Sequence, residues 1–558
     1  MLATAGAYAR QIAVKSVLVI GGYGGFGARL SRRLAEDGWH VIIAGRNLAK
    51  AEALAATITS GVPTIFDREG DVEAALASLS PMLLIDAAGP FQNSDYRVAQ
   101  ACIAQGIHYL DLADARAFVT GITELNSITE KAGVAVVSGA SSVPALSGAV
   151  LRELTEGLSE VTRVDMAISA SDKSTAGTSV ASAILSYVGQ PLAIWQGRRW
   201  RKTYGWQNVR RASVCDQHGK RTSRLLSSAD VPDLDIVPQA LKGHPATSFN
   251  AGSEFGFQVW TLWFLSWPVR WGLLKSLTAM RRVLLPLQSL TRPFSSGTSF
   301  MTVDVHGLTP DRFEKRRWEL IATEGRGPEI PVMAAQLLAR TVSKGTLKSG
   351  ARHAAEELSL NDFAPHFEEL EIETNTTRTA YEPLYKRVMG ASFYCLPKPV
   401  RTMHEVCGDG GASGSATVTR GRNPLAQLVA AIMRFPKAGE HDLHVSFRED
   451  DGRETWERDF AGATFRSELS EKDGKLVERF GPLRFQFELP SDACGLKMMM
   501  VGWSAFGISL PLFLAPKTVA TETAEDGVFV FDVAIALPLI GDIVHYRGSL
   551  KPCSSAQI

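Results

Sequence analysis

The sequence predicts an α/β chain in three parts: a doubly wound parallel sheet, an α+β second domain and a β-rich antiparallel C-terminal domain. Three observations predict it. Short β-rich runs alternate with helical ones from residue 16 to about 140, and the texture is mixed from about 145 to 380. Beyond a junction at 381–390, turn signals recur about every ten residues between alternating runs. The expected domains are 14–145, 146–380 and 381–553.

In the first part the strands are expected at 16–20, 41–44, 62–66, 82–86, 108–112 and 134–138, and the helices at 26–37, 48–59, 71–79, 94–105 and 115–131. Gly38, Gly106 and Gly133 stand where helix stops belong, and Asp71 and Ser94 where N-caps belong. Alternation of this kind wraps a parallel sheet on both faces. The second part holds a polar, basic stretch (196–224), a Trp-rich run, and a Gly/Ser/Thr-rich segment (291–302) that leads into a strand at 301–305. A strand at 318–323 and a helix at 331–342 follow. The third part has alternating runs at 443–447, 454–460, 483–489 and 528–536, with one helix at 424–433.

Composition narrows the function. The 558 residues are 45% hydrophobic and 21% charged, a globular balance. Lys+Arg 59 against Asp+Glu 58 leaves +1, which argues against a nucleic-acid binder. Six scattered cysteines without a CxxC pair make neither a disulfide framework nor a zinc site, so no metal is expected and a reducing cytoplasm fits. The first sixteen residues do not read as a secretory signal. The uncharged stretch 498–516 is punctuated by Gly502, Gly507, Pro511 and Pro516, as buried strands and turns would be. The uncharged run 255–269 is too short to span a bilayer. Within and just after it, Trp260, Trp263, Trp267 and Trp271 recur at helical spacing, and Arg270, Lys275, Arg281 and Arg282 follow. That stripe packs inside protein, as a core or dimer helix, or lies in a lipid headgroup layer; the first reading is preferred.

The strongest local signal is 17–27, VLVIGGYGGFG. Gly22, Gly24 and Gly27 fit G-x-G-x-x-G directly after a strand and before a helix, with Gly25 and Phe26 inside the loop. The first glycine permits the tight turn, the second lets backbone approach a pyrophosphate, and the third lets helix and strand pack. This predicts a Rossmann-type dinucleotide site, against a glycine-rich structural turn. The second strand ends Ala44-Gly45-Arg46, with a cation where an NAD site usually has an acid. Arg46 would pair with a 2′-phosphate, which favours NADP (as NADPH) over NAD; otherwise it is an exposed loop arginine. Asp67 is an adenine contact or a loop acid. Ala88, Gly89 and Pro90, after the fourth strand, would let backbone lie against the ribose and nicotinamide. Tyr109 and Asp111 share one side of the fifth strand and are the candidates for proton donor or orienter, with a buried structural role open for each. Gly325–Pro331 is a loop closing on substrate or a turn before a helix. His404, Trp456, Arg458 and His545 stand out in the third part without metal or nucleophile spacing.

These motifs carry a resemblance. GGYGGFG, AGRN, DAAGPF, ACIAQGIHYLDL and SGASSVP resemble the saccharopine dehydrogenase-like NADP-binding domain. The segments 251–254 and GPEIPVMAA look like that family's second domain. RVMGASFYCLP, GWSAFGISLPLFLAP and FDVAIALPLIGDIVHYRG are similar to DUF4166, a domain appended to such proteins in bacteria. The resemblance implies a nicotinamide-dependent oxidoreductase; true saccharopine enzymes handle an amino-acid imine, while others resemble trans-acting enoyl reductases of lipid assembly. Relatives often carry Gly-Glu where this sequence has Ala113-Asp114 or Asp114-Ala115, and the β-rich domain is foreign to the amino-acid enzyme. The expectation is therefore hydride transfer from NADPH to a C=N, C=O or activated C=C group of a small, lipid-like molecule rather than saccharopine. Expected partners are peripheral membrane contact through 255–290 and a second copy in a homodimer, in the cytoplasm or on the inner membrane face. The alternative is a non-catalytic dinucleotide-binding scaffold or membrane-associated partner protein.

Overall fold

A computed structural model describes residues 15–173 and 177–553; the expectation about a secretory signal falls largely on 1–14, outside the described residues. Strands β1 (Ser16–Ile20), β2 (His40–Gly45), β3 (Gly61–Ile65), β4 (Leu83–Asp86), β5 (His108–Asp111) and β6 (Ala135–Ser138) form a parallel sheet, as expected. Its order runs β6-β5-β4-β1-β2-β3. The winding direction reverses between β1 and β4, and open sheets of this kind bind ligands at the C-terminal ends beside such a reversal. Val17, Leu18, Val19, Leu83, Leu84 and Ile85 are fully buried, because helices cover both faces.

The seventh strand comes from far along the chain. Gly350–His353 pairs in parallel with β6, Gly350 opposite Ala135 and His353 opposite Ser138. Helix Ile330–Ser343 packs on α1 (Gly27–Glu36), where Arg340 meets Asp37 at 2.7 Å and Glu329 takes Arg29 at 2.8 Å and Arg33 at 3.1 Å. Gly325–Pro331 is thus the turn before a helix, clamped to α1. The sheet is spatially one unit although its strands span residues 16 to 353.

Two local expectations are corrected. Ser94 does not cap the fourth helix, which starts at Arg97; its hydroxyl accepts from Arg68 at 2.9 Å instead. The helix expected at 115–131 is broken into Arg116–Gly121, a tight turn and Asn126–Ala132. Tyr96 donates to the Phe118 carbonyl at 2.9 Å, an acceptor that a continuing helix would need for itself.

The second sheet is mixed. It runs Arg210–Cys215, Arg221–Ser228, Ala246–Ser253, Glu160–Ala170, Ser299–Leu308, Phe313–Ala322, Glu373–Tyr381, with only the Ala246–Ser253/Glu160–Ala170 pair parallel. The basic stretch is built into strands and reaches the third unit: Arg199 pairs with Asp459 at 2.8 Å and Arg201 with Glu457. Arg163, fully enclosed, bridges Asp165 and Asp450.

The third unit is a closed antiparallel barrel of ten strands. It runs from Asp409–Arg420 to Gly541–Pro552 and closes where Leu483–Glu488 pairs with Gly495–Ala505. Closure removes the exposed edges that an open sheet would present. The stretch 498–516 does contain strand and turn, but it is not buried: Phe506, Ile508 and Phe513 are 83%, 67% and 76% exposed. The strand lies in the barrel wall and the turn projects outward.

The Trp-rich run is a helix, Gly256–Arg270. Val259, Ser266 and Val269 face inward, packed with Leu185, Val188, Trp206 and Leu277. Trp260, Trp263, Trp267 and Trp271 form a continuous ladder with ring centroids 5.5–5.6 Å apart. Trp260 and Trp271, with Phe257 and Phe264, are exposed, so the stripe is not part of this chain's own core. The charge-free sequence was compatible with burial; the inward face is taken by the smaller residues instead. Among the described residues no helix is long and apolar enough to cross a membrane.

Candidate functional site

The glycine loop joins β1 to α1 at the C-terminal edge of the sheet. Gly21, rather than Gly22, holds the left-handed turn, with φ +69°, and a side chain there would meet Ala88 at 3.0 Å. A β-carbon at Gly27 would lie 2.1 Å from the Gly21 carbonyl, so only glycine lets the helix start this close to the strand. At Gly24 the nearest atom to such a carbon is the Gly21 carbonyl oxygen at 3.0 Å. No side chain caps α1; in its first turn the Ala28 amide donates to the Gly24 carbonyl at 2.9 Å, and the helix end is otherwise open to a ligand. Gly25 is exposed and Phe26 half-buried at the helix start.

Arg46 follows β2 and is exposed at the same edge. Its position depends on Tyr23, which the sequence reading passed over. The Tyr23 hydroxyl accepts from the Asn47 amide at 2.9 Å, and its ring covers Gly45, where a β-carbon would meet the hydroxyl at 2.5 Å. Asn47 in turn caps helix α2 (Leu48–Ala55) by accepting from Lys50 at 3.0 Å. A tyrosine inside a glycine loop was the available signal. Asp67 is exposed, and its carboxylate accepts from the Glu69 amide at 3.1 Å in its own turn.

The β4 turn carries Ala88, Gly89 and Pro90 at the surface of the edge, and Arg68 holds it. Arg68 donates to the Ala88 carbonyl at 2.6 Å, lies 3.5 Å from the Asp86 carboxylate and sits over the Phe91 ring at 5.2 Å. Asp86 accepts from the Ala88 amide at 2.9 Å. Burial raises its pKa, partly offset by Arg68 and that amide. On the outer side of the turn, Ser179 of helix Thr178–Tyr187 donates to the Gly89 carbonyl at 2.8 Å. The second domain therefore closes directly over this turn.

Tyr109 and Asp111 are both enclosed, 1% and 0% exposed. Tyr109 lines a polar cavity of about 160 Å³ with Arg68, Asp86 and Ser94. Burial lifts its phenol well above the ordinary value, helped by Asp111 and Asp86. Asp111 accepts from the Gly139 amide (2.8 Å), the Ala113 amide (3.0 Å) and the Ser138 hydroxyl (3.0 Å). Burial pushes its carboxyl up to about 6 against those three donors. It ties the end of β5 to the SGASS loop after β6.

Of the residues singled out in the barrel, His404 bonds Glu522 at 2.5 Å and stacks on Tyr385 with centroids 3.6 Å apart. Trp456 donates to Glu454 at 2.9 Å and Arg458 to Ser467 at 3.0 Å. His545 bonds Asp532 at 2.7 Å on the exposed side. Glu454, Glu478 and Glu522 escaped notice because a single glutamate in a strand carries no pattern.

The uncapped helix, the cradle that a β-carbon would fill and the exposed Arg46 all suit a dinucleotide with an extra phosphate. Residues 17–137 match the family model described as saccharopine dehydrogenase NADP binding domain. The N-terminal unit is an NADP-binding domain of the saccharopine dehydrogenase type. Residues 396–550 match a second model, a domain of unknown function, DUF4166, which takes in nearly all of the barrel. Parts of this chain are also similar to solved dehydrogenases. An amine dehydrogenase from Mycobacterium smegmatis is 11% identical over 61% of this chain and 95% of its own, with a TM-score of 0.34. GenD2 from gentamicin A biosynthesis, in complex with NAD, is 14% identical over 64% and 92%, with a TM-score of 0.30. Sorbitol-6-phosphate 2-dehydrogenase SrlD from Erwinia amylovora is 22% identical over 22% and 69%, with a TM-score of 0.19. Scores this low carry no weight for the activity. No curated protein matches the chain.

Proposed function

We propose that the chain is an NADPH-dependent reductase that transfers hydride to a C=N, C=O or activated C=C group of a hydrophobic small molecule. When bound, NADPH supplies the hydride, and a proton completes the reduction at the neighbouring atom. The observation that carries the reading is the Gly22–Gly24–Gly27 cradle with Arg46, rather than an acid, after β2.

In this reading the α1 amides and the Gly24 backbone hold the pyrophosphate, and Arg46 meets the 2′-phosphate. Arg68 fixes the Ala88-Gly89-Pro90 turn on which the nicotinamide end rests, and Ser179 brings the second domain over it. Asp111 orients the Ser138–Gly139 backbone at the same edge, and Tyr109 with Asp86 forms the polar layer beneath it. What supports an apolar substrate is the covering helix Thr178–Tyr187, whose Ile184, Leu185 and Tyr187 join the apolar cluster under the Trp ladder.

The test is a titration with NADPH and NADH, read by energy transfer from tryptophan to nicotinamide, repeated with Arg46→Ala. A charge-assisted phosphate contact is worth about 1.5–3 kcal/mol, so NADPH should weaken by about 10- to 100-fold while NADH stays unchanged. Equal weakening of both would remove Arg46 from the phosphate. Binding of neither would leave the non-catalytic scaffold as the reading.

The exposed Trp260, Phe264 and Trp271 favour a second element, peripheral attachment to a lipid headgroup layer, which would place the protein on the inner face of the membrane. Flotation with anionic vesicles should be lost in Trp260→Ser/Trp271→Ser; retained flotation rejects the attachment. Sedimentation equilibrium of the same variant tests whether the ladder joins two copies instead.

A further inference from the structure

The barrel has an unfilled interior. A cavity of about 190 Å³ runs inside it, lined on most sides by apolar side chains, among them Phe485, Phe487, Met498, Phe529, Phe531 and Ile543. Protein interiors pack nearly as densely as crystals and rarely leave voids much larger than a water molecule, so a space of this size in a closed barrel is a feature of the wall residues chosen. Those strands would close the space simply by exchanging Ala520 or Thr518 for larger residues.

The lining is not uniformly apolar. Arg458 and Glu478 line the cavity and form one polar patch with Ser467 of the strand between them: Arg458 donates to Ser467 at 3.0 Å and lies 3.6 Å from Glu478. Tyr546 and Glu522 border it, the latter held by His404. Arg458 also rests against the Trp456 and Phe465 rings at 5.5 and 5.6 Å. Its charge is already met by Glu478, so an anionic group gains little there, and the same guanidinium repels a cation. Donors and acceptors are both present, which suits an uncharged hydrogen-bonding group.

Val429, Met433, Pro516 and Leu537 also line the cavity, and Leu428, Ile432, Leu514 and Leu539, one or two residues from them in sequence, are exposed. An apolar rim around an apolar cavity gives a greasy molecule a continuous path inward.

We infer that the barrel is a binding site for a molecule with an apolar body and one uncharged polar end, a hydroxyl or carbonyl, which meets the Arg458–Glu478–Tyr546 patch. The apolar body fills the space between Phe487, Met498 and Phe531. The site is separate from the glycine loop and stands whether or not the chain reduces anything.

The test uses the full chain and the fluorescent probe N-phenyl-1-naphthylamine. The expected result is saturable enhancement at one site per chain, weakened at least about tenfold by Ala520→Trp and by Thr518→Phe, each of which fills the cavity. Two substitutions at different positions cover the case in which one does not fold. Val519→Ser, an exposed position between Thr518 and Ala520 on the outer face of the same strand, should leave the affinity unchanged. Decanol should displace the probe at concentrations at least about tenfold below decanoate or decyltrimethylammonium, which share its chain length and differ in charge. Absence of saturable enhancement overturns the site. So does weakening by Val519→Ser with none from the filling variants, which means surface adsorption. Equal displacement by all three competitors overturns the uncharged head group.

Discussion

The hydroxyl of Tyr23 accepts the Asn47 amide at 2.9 Å, joining the glycine loop to the loop that carries Arg46. The pyrophosphate cradle and the residue assigned to the 2′-phosphate are thus held at a fixed separation by one side chain. Tyr23→Phe removes that bond and keeps the ring over Gly45. A single neutral hydrogen bond is worth about 0.5–1.5 kcal/mol, so NADPH should bind about 2- to 10-fold more weakly, with a smaller effect on NADH. Fluorescence titration of both nucleotides checks it, and equal loss for both would mean that Tyr23 acts on the cradle alone.

Gly24 and Gly27 separate binding from folding. A methyl at Gly27 would run into the Gly21 carbonyl at 2.1 Å, so Gly27→Ala must displace α1 from β1, at a cost of about 2 kcal/mol or more. At Gly24 the closest approach is 3.0 Å, and the methyl would occupy the space needed by a phosphate. Gly24→Ala should therefore keep the parent melting temperature and lose NADPH affinity, whereas Gly27→Ala should lose both. Thermal melts with nucleotide titrations separate the two. A Gly24→Ala protein that binds normally would remove this backbone from the pyrophosphate.

Asp409, at the seam between the barrel and the second sheet, predicts a pH effect. Burial pushes its carboxyl up to about 6, opposed by the Gly197 amide that it accepts at 2.8 Å and by Arg448, Arg163 and Arg198. Its pKa is higher folded than unfolded, so the folded chain binds the proton more tightly and stability falls as pH rises from about 4 through about 6. Asparagine keeps an acceptor for Gly197 and has no charge to bury. Asp409→Asn should be more stable than the parent by about 1–2 kcal/mol at about pH 8, with the difference shrinking towards about pH 5. Urea denaturation at the two pH values checks this, and a variant less stable at the higher pH would contradict it.

Much of the first unit was legible because its signals are local. Apolar runs of strand length, glycines at helix stops and a glycine loop between strand and helix all act within a few residues, and β1 to β6 lie where the pattern put them. Arg68 was not legible, since it matters through a contact with a segment far enough along the chain that no spacing rule connects them, and Tyr23 showed only as a tyrosine inside a glycine loop, without its partner Asn47. The same holds for Ser94, where a distant arginine outcompeted a local cap.

The Trp-rich run marks the limit of periodicity. Spacing made Trp260, Trp263, Trp267 and Trp271 one stripe on one helix, but which face turns inward depends on what lies beside it, here Leu185, Val188 and Trp206.

By itself, then, the sequence determined the parallel sheet, the dinucleotide loop and the β-rich character of the C-terminal part, because backbone conformation and strand or helix period are encoded in neighbouring residues. Only the tertiary structure decided three further things: that Gly350–His353 completes the first sheet, that the β-rich part closes into a barrel, and that Arg458 and Glu478 meet inside it around an open space. Each of these is a pairing between residues whose approach depends on the whole chain having folded, and a one-dimensional pattern holds no record of such distances.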